Sequence, residues 1–229
     1  MKRQKLGQHF LRSDEVAKSI VTTAKITGDD VVLEIGPGRG VLTGHLCRLA
    51  KKVIAVEADR LLHEELKIRQ TQDNLEIIYS DGFSRDMTFD ILVSNLPYSQ
   101  SRRAILWLSR QRFSHAVIMV QREFADKITA TGQDRRAVSV LASWAFDIQV
   151  VRRIPSTCFE PPPKVDSVIL LLRQRRRVTQ EMIRAVNELF AQRRKTVRSM
   201  LRQLGVRSED DRRLDELASE EIIRIAGTK

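Results

Sequence analysis

The stretch Leu33-Glu34-Ile35-Gly36-Pro37-Gly38-Arg39-Gly40 decides the fold. Its first three residues close an apolar run that begins at Val31, and the glycines then turn the chain into a helical pattern over residues 41–50. A strand feeding a glycine turn and a helix opens an α/β unit. Glycine adopts backbone conformations closed to other residues and lets the main chain approach a ligand. Gly36, Gly38 and Gly40 read G-x-G-x-G, with Val41 at the third glycine place of the dinucleotide fingerprint G-x-G-x-x-G. The helix that follows would present free N–H groups at its start. Such turns also merely close strand–helix junctions, so the function has to come from what surrounds this one.

Working outward, short β-type runs occupy residues 31–35, 53–56, 75–79, 91–94, 116–120, 148–151 and 168–172. Helical patterns separate most of them, over residues 41–50, 61–69, 102–109, 123–129 and 136–144, and an N-terminal helix carries Val16, Ala17, Ile20, Val21 and Ala24. This alternation predicts a doubly wound, mostly parallel α/β sheet of about seven strands. Only a proline-rich segment, Pro155 to Pro163, separates the last two runs, which predicts an antiparallel finish. After Arg173 the pattern is purely helical. Ile183, Val186, Phe190, Val197, Leu201 and Leu204 mark one face, and Arg194, Arg198 and Arg202 stack at i, i+4, i+8 on another.

Charge is unevenly placed. The 229 residues hold 40 Lys+Arg against 29 Asp+Glu, a formal charge of +11. Residues 1–12, with Lys2, Arg3 and Lys5, carry +4, residues 173–207 carry +9, and the long stretch between them is near neutral. Two basic segments around a neutral body suit a phosphate backbone gripped beside a pocket. The 42% hydrophobic content excludes wholesale disorder. No apolar run is long enough to span a bilayer, and the basic N-terminus lacks a following apolar region, which argues against membrane insertion and secretion. Cys47 and Cys158 form neither a disulfide framework nor a metal-ligand cluster, which fits a reducing cytoplasm and no metal.

Three further constellations carry chemistry. Glu57 ends the second run, 21 residues after Gly36, where a carboxylate can accept both hydroxyls of a ribose. Asp81, in Ser80-Asp81-Gly82-Phe83, can accept from an adenine amino group, although Asp-Gly is also a common turn. The decisive set is Ser94-Asn95-Leu96-Pro97-Tyr98 at the carboxyl end of the fourth run. Methylating an exocyclic amino group requires help, because its lone pair is delocalised into the ring. Two acceptors, the Asn95 amide oxygen and a main-chain carbonyl near Leu96 and Pro97, would hold both amino protons and aim the lone pair. Tyr98 would stack on the everted base. Arg102 and Arg103, just past this motif, join the expected RNA contacts. A nicotinamide dehydrogenase would also use the glycine turn and Glu57, but it leaves Asn95–Tyr98 unexplained.

Gly7-Gln8-His9-Phe10-Leu11, residues 33–40, Val56-Glu57, Asp81-Gly82, Asn95-Leu96-Pro97-Tyr98 and residues 159–167 together resemble the KsgA family in sequence and order. These are the small-subunit ribosomal RNA adenine dimethyltransferases, relatives of the erythromycin-resistance methyltransferases that act on the large subunit. The resemblance spans nearly the whole chain, and the Asn-Leu-Pro-Tyr and Pro-Lys-Val-Asp-Ser segments lean to the KsgA side. It implies transfer of methyl groups from S-adenosylmethionine to the 6-amino groups of two adjacent adenines, in a hairpin loop near the 3′ end of small-subunit rRNA. By the same resemblance, His9 and Leu11 border the methionine end of the donor, and Gly36 and Gly38 face it. Glu57 holds the ribose, Asp81 the donor adenine, and Asn95 touches donor and acceptor, with Phe159 a second stacking face. Residues 1–175 then form the methyltransferase domain and residues 176–229 a small basic helical RNA-docking domain. The expected setting is a cytoplasmic monomer acting on immature small ribosomal subunits, with a large-subunit rRNA adenine methyltransferase of the erythromycin-resistance type, or a non-catalytic assembly factor, the alternatives.

Overall fold

The computed structural model describes residues 9–84, 86–203 and 205–227. Among these, the strands are β1 (Phe10–Leu11), β2 (Val31–Ile35), β3 (Lys52–Glu57), β4 (Leu75–Tyr79), β5 (Ile91–Asn95), β6 (His115–Gln121), β7 (Phe146–Ile154), β8 (Phe159–Glu160) and β9 (Ser167–Gln174). The helices are α1 (Asp14–Ala24), α2 (Thr43–Cys47), α3 (Arg60–Arg69), α4 (Ser101–Leu108), α5 (Arg122–Thr129), α6 (Ala137–Ala145), α7 (Gln180–Ala191), α8 (Val197–Arg202) and α9 (Ser219–Ala226).

Seven strands form one sheet in the order β4-β3-β2-β5-β6-β9-β7, and β1 pairs with β8 in a separate antiparallel ribbon. The first five strands of that order run parallel, while β9 lies antiparallel to both β6 and β7. The chain winds outward from β2 through β3 to β4, then returns to β5 on the other side of β2 and continues to β6. The carboxyl ends of β2 and β5 therefore flank the point where the winding reverses, which is where open α/β sheets leave a crevice. Gly36 follows β2 there and Asn95 closes β5. The Ser94 hydroxyl ties the two strand ends by donating to the Ile35 carbonyl.

Both faces of the inner strands β2, β3, β5, β6 and β9 are covered, so these read as near-continuous apolar runs, while the edge strands β4 and β7 are mostly half-buried or exposed. Val32, Val53, Ile91, Val93, Val117 and Met119 face a layer built with α1 and Leu46. Their neighbours Leu33, Ile54, Val56, Leu92, Ala116 and Ile118 face the opposite layer, with α4, α6 and the C-terminal helices. The helices after Arg177 thus share an apolar layer with the sheet.

Two expectations need correction. The helix after the glycine turn covers only Thr43–Cys47, because Gly36, Gly38 and Gly40 all take positive φ (70°, 57° and 80°) and the loop runs on through Leu42. A site at that helix's N-terminus is therefore not built. The C-terminal stripe is also broken. α7 stops at Ala191 and α8 starts at Val197, with Thr196 as its N-cap, accepting from the Ser199 N–H at 3.3 Å. A threonine after the run Arg193-Arg194-Lys195 favours a cap over continued helix. Arg194 consequently lies in the connecting turn, off the face that carries Arg198 and Arg202.

Candidate active site

Two adjoining cavities occupy the crevice, sharing Gly36, Glu57 and Pro97. The first is bounded by the N-terminal segment His9–Leu11, Glu34, the glycine loop and Asn95–Tyr98. The second lies between β3, the Asp81–Phe83 turn and the start of α4.

The glycine loop is built around close approaches. A Cβ on Gly40 would stand 2.7 Å from Leu66 Cδ1, and one on Gly38 would stand 3.2 Å from the Phe10 ring. One N–H of the loop points at a carboxylate: Gly38 N–H donates to Glu57 Oε2 at 3.1 Å, while Asp59 N–H, just past β3, donates to Oε1 at 2.9 Å. Glu57 is thereby fixed, and each oxygen keeps acceptor capacity toward the cavities. Burial raises its pKa, against the backbone donors. Glu34 stands beneath the same loop, 1% exposed, and accepts from the Thr43 hydroxyl at 2.7 Å. Burial pushes its carboxyl up to about 8, against the Thr43 hydrogen bond and with the Glu57 charge adding to the rise. Sequence reading passed over Glu34 as strand; the available signal was a lone acid inside the apolar run Val31-Val32-Leu33-Glu34-Ile35.

At the end of β5, Asn95 lines the first cavity and its Nδ2 makes a long contact, 3.5 Å, to the His9 carbonyl. The amide oxygen is left as its acceptor. Leu96 is buried, and its N–H donates to the Met119 carbonyl at 3.2 Å. The Pro97 carbonyl accepts from the Gln100 N–H at 2.8 Å, so the main-chain acceptor left beside Asn95 is that of Leu96. Tyr98 is held by a 2.7 Å hydrogen bond between its hydroxyl and Ser167, and burial keeps the phenol neutral by raising its pKa. The His9 ring stacks on Tyr98 with centroids 5.3 Å apart and planes at 29°, while its Nδ1–H donates to the Pro161 carbonyl at 2.7 Å. Leu11 is buried and also borders this cavity.

Asp81 borders the second cavity. Its Oδ1 accepts from the Phe83 N–H at 3.0 Å and its Oδ2 pairs with Arg103 at 2.7 Å. Burial works upward on its pKa, but these partners outweigh it and hold the carboxyl below its ordinary value.

Several expected roles are not where the sequence suggested. Phe159 pairs with Leu11 across the β1–β8 ribbon and is 2% exposed in the apolar layer beneath, so it offers no stacking face. Arg103 turns to Asp81, and Arg102 donates to Asn187 Oδ1 at 3.1 Å, so both are engaged with the body instead of standing free for RNA. Arg198 pairs with Asp211 at 3.0 Å, whereas Arg202 is exposed at the end of α8. Arg194 lies beside Arg135, Arg193 and Arg213 along a groove between the C-terminal segment and the loop before α6. Lys2, Arg3 and Lys5 lie outside the described residues. Among the described residues no helix is long and apolar enough to cross a membrane.

Comparison with known proteins places these features in a group. The family model described as ribosomal RNA adenine dimethylase matches residues 1–223. The chain is 37% identical over 202 residues to a probable ribosomal RNA small subunit methyltransferase A of Pyrococcus abyssi, covering 87% of this chain and 75% of that protein. It is 35% identical over 228 residues to the ribosomal RNA small subunit methyltransferase A of Clostridium acetobutylicum, covering 90% and 82%. Among solved structures, a dimethyladenosine transferase from Plasmodium falciparum superposes with a TM-score of 0.81 at 27% identity, over 95% of this chain and 96% of that one. The 23S rRNA methyltransferase ErmE shares the fold, with a TM-score of 0.66 at 24% identity over 95% and 98%.

Proposed function

Because the chain belongs to the ribosomal RNA adenine dimethylase family, we propose that it transfers methyl groups from S-adenosylmethionine to the 6-amino groups of two adjacent adenines in small-subunit rRNA. The target is the hairpin loop near the 3′ end. One observation carries the reading: Asn95, with the Leu96 carbonyl, closes a strand at the winding switch and faces a cavity that shares Glu57 with a second, nucleoside-sized one.

The residues present suit the donor. Glu57 would hold ribose hydroxyls, Asp81 the amino group of the base, and Gly36 and Gly38, which line the first cavity without side chains, let the main chain come close to the ligand. When bound, S-adenosylmethionine supplies a methyl group activated by its sulfonium charge.

The protein's own part is positioning. The Asn95 amide oxygen and the Leu96 carbonyl accept the two protons of the target amine, which points its lone pair along the transfer direction and stabilises the charge that develops on nitrogen. Tyr98, fixed by Ser167, supplies a neutral flat surface for the everted base. The methylated amine is acidic enough to lose its proton to solvent, so no strong general base is required.

RNA docking falls to the basic stretch 173–207, most of which lies in a proposed appendage, residues 176–229, with exposed Arg194 and Arg202 its leading contacts. A small-subunit target is favoured by the small-subunit names of the relatives. The same reading makes the protein a cytoplasmic monomer, in keeping with two free thiols. Incubating it with methyl-labelled donor and immature small subunits tests the proposal. Label recovered as N6,N6-dimethyladenosine in small-subunit rRNA is the expected result, and label confined to large-subunit RNA would overturn the assignment.

A further inference from the structure

Arg103 has no part in the sequence reading of the donor site, yet it stands on the wall of the second cavity. It occupies the first turn of α4, and its guanidinium meets Asp81 Oδ2 at 2.7 Å. The same guanidinium lies over the Phe83 ring, 5.3 Å from its centroid, and Phe83 packs edge-on against Trp107 of α4. Two contacts thus hold one long side chain in place, the second backed by Trp107. The pair is about half exposed, so it contributes little to folding, and its use has to be sought in the cavity it borders.

We infer that Arg103 and Asp81 form a two-part reader for the base of the methyl donor, with Asp81 accepting from its amino group and Arg103 donating to the neighbouring ring nitrogen. This rests on the function proposed above and names a specificity residue within it. The argument is one of complementary order. Adenine presents an N–H donor beside a ring-nitrogen acceptor, and the ion pair presents an acceptor beside a donor at a similar spacing. Asp81 stays ionised and therefore acceptor-only, while arginine is donor-only, so neither partner can reverse its role. Hypoxanthine presents the opposite order, a carbonyl acceptor beside an N–H donor, and would set like against like at both positions. Sites built to hydrogen-bond a ligand group discriminate against an analogue that cannot pair, because the bound ligand covers these polar groups and leaves them unmatched.

The test is calorimetric binding of S-adenosylhomocysteine and of its deaminated analogue, S-inosylhomocysteine, to the intact protein without RNA. The wild type should prefer the adenine compound by about 100-fold, and Arg103→Ala should bind it about tenfold more weakly and lose about tenfold of that preference. Adding Arg103→Ala to an Asp81→Ala background separates direct contact from an effect through Asp81. A further severalfold loss supports a contact to the base, and no further loss overturns it. Unchanged or tighter binding of S-adenosylhomocysteine by Arg103→Ala would also overturn the inference while leaving the methyltransferase assignment intact. Failure of the wild type to bind either compound would remove both.

Discussion

The crevice at the strand ends and the basic segment after Arg173 are both rich in charged and polar residues, and they use them in opposite ways. In the crevice Glu57, Asn95 and Tyr98 are single, buried or half-buried, and pinned: Glu57 by two N–H donors, Asn95 by the end of β5, Tyr98 by the Ser167 hydroxyl. In the basic segment the arginines are many, exposed and long, and some answer to local acids, as Arg198 does to Asp211. A pinned group acts through position, so its loss has no substitute. A mobile surface charge acts through its number, so its loss is shared among neighbours.

That contrast fixes the order of expected effects. The largest belongs to Asn95→Ala, which should lower the methylation rate by about 10²–10³-fold, the scale of removing one positioned group that stabilises developing charge. RNA affinity should stay within about twofold of the wild type; single-turnover assays beside filter binding would show whether the two properties separate. Next comes Glu57→Ala, expected to weaken S-adenosylhomocysteine binding by about 10- to 100-fold through lost charged hydrogen bonds, read by calorimetry, with rRNA affinity again unaffected.

A smaller effect follows from Glu34, whose carboxyl is raised by burial from its ordinary 4.5 to about 8 in the fold. Between these values the folded state binds more protons than the unfolded one. The stability it brings is complete below about 4.5 and is lost as the pH rises through about 8. Urea midpoints of the ligand-free protein should therefore fall across this window, by at most about 1.4 kcal/mol per pH unit from this group. Glu34→Gln, which stays neutral, should flatten the fall. A slope that Glu34→Gln leaves untouched would assign it elsewhere.

The smallest effects belong to the basic segment. Removing Arg202 should reduce the salt dependence of RNA binding by about one unit of log–log slope. Arg198→Ala should change it less, because part of that charge is already answered by Asp211. Equal, large losses for both would mean that this surface, too, is a pinned site, and the contrast would fail.

The same difference governs what could be read from the sequence. Gly36, Glu57, Asp81 and Asn95 were legible because each sits where a strand ends, and apolar runs with glycine, acid or proline punctuation mark those places directly. The sheet was legible for the same reason: strands covered on both faces leave unbroken apolar runs. Phe159 was misplaced because Phe-Glu-Pro-Pro-Pro reads as a loop, and only the pairing of Leu11 with Phe159 turns its ring into the core. Glu34 escaped notice and Arg103 was read as an RNA contact because their partners, Thr43 and Asp81, meet them only in the folded chain. The break between α7 and α8 was hidden because the apolar spacing through Phe190, Val197 and Leu201 suits one long helix as well as two short ones. The cap at Thr196 was the signal that periodicity does not count.

The most direct test of the central claim is nucleoside mass spectrometry of small-subunit rRNA from cells that lack this protein. The account predicts that N6,N6-dimethyladenosine disappears from the 3′ hairpin, returns with the wild-type gene, and does not return with Asn95→Ala. Dimethyladenosine persisting at that hairpin without the protein, or restored by Asn95→Ala, would contradict it.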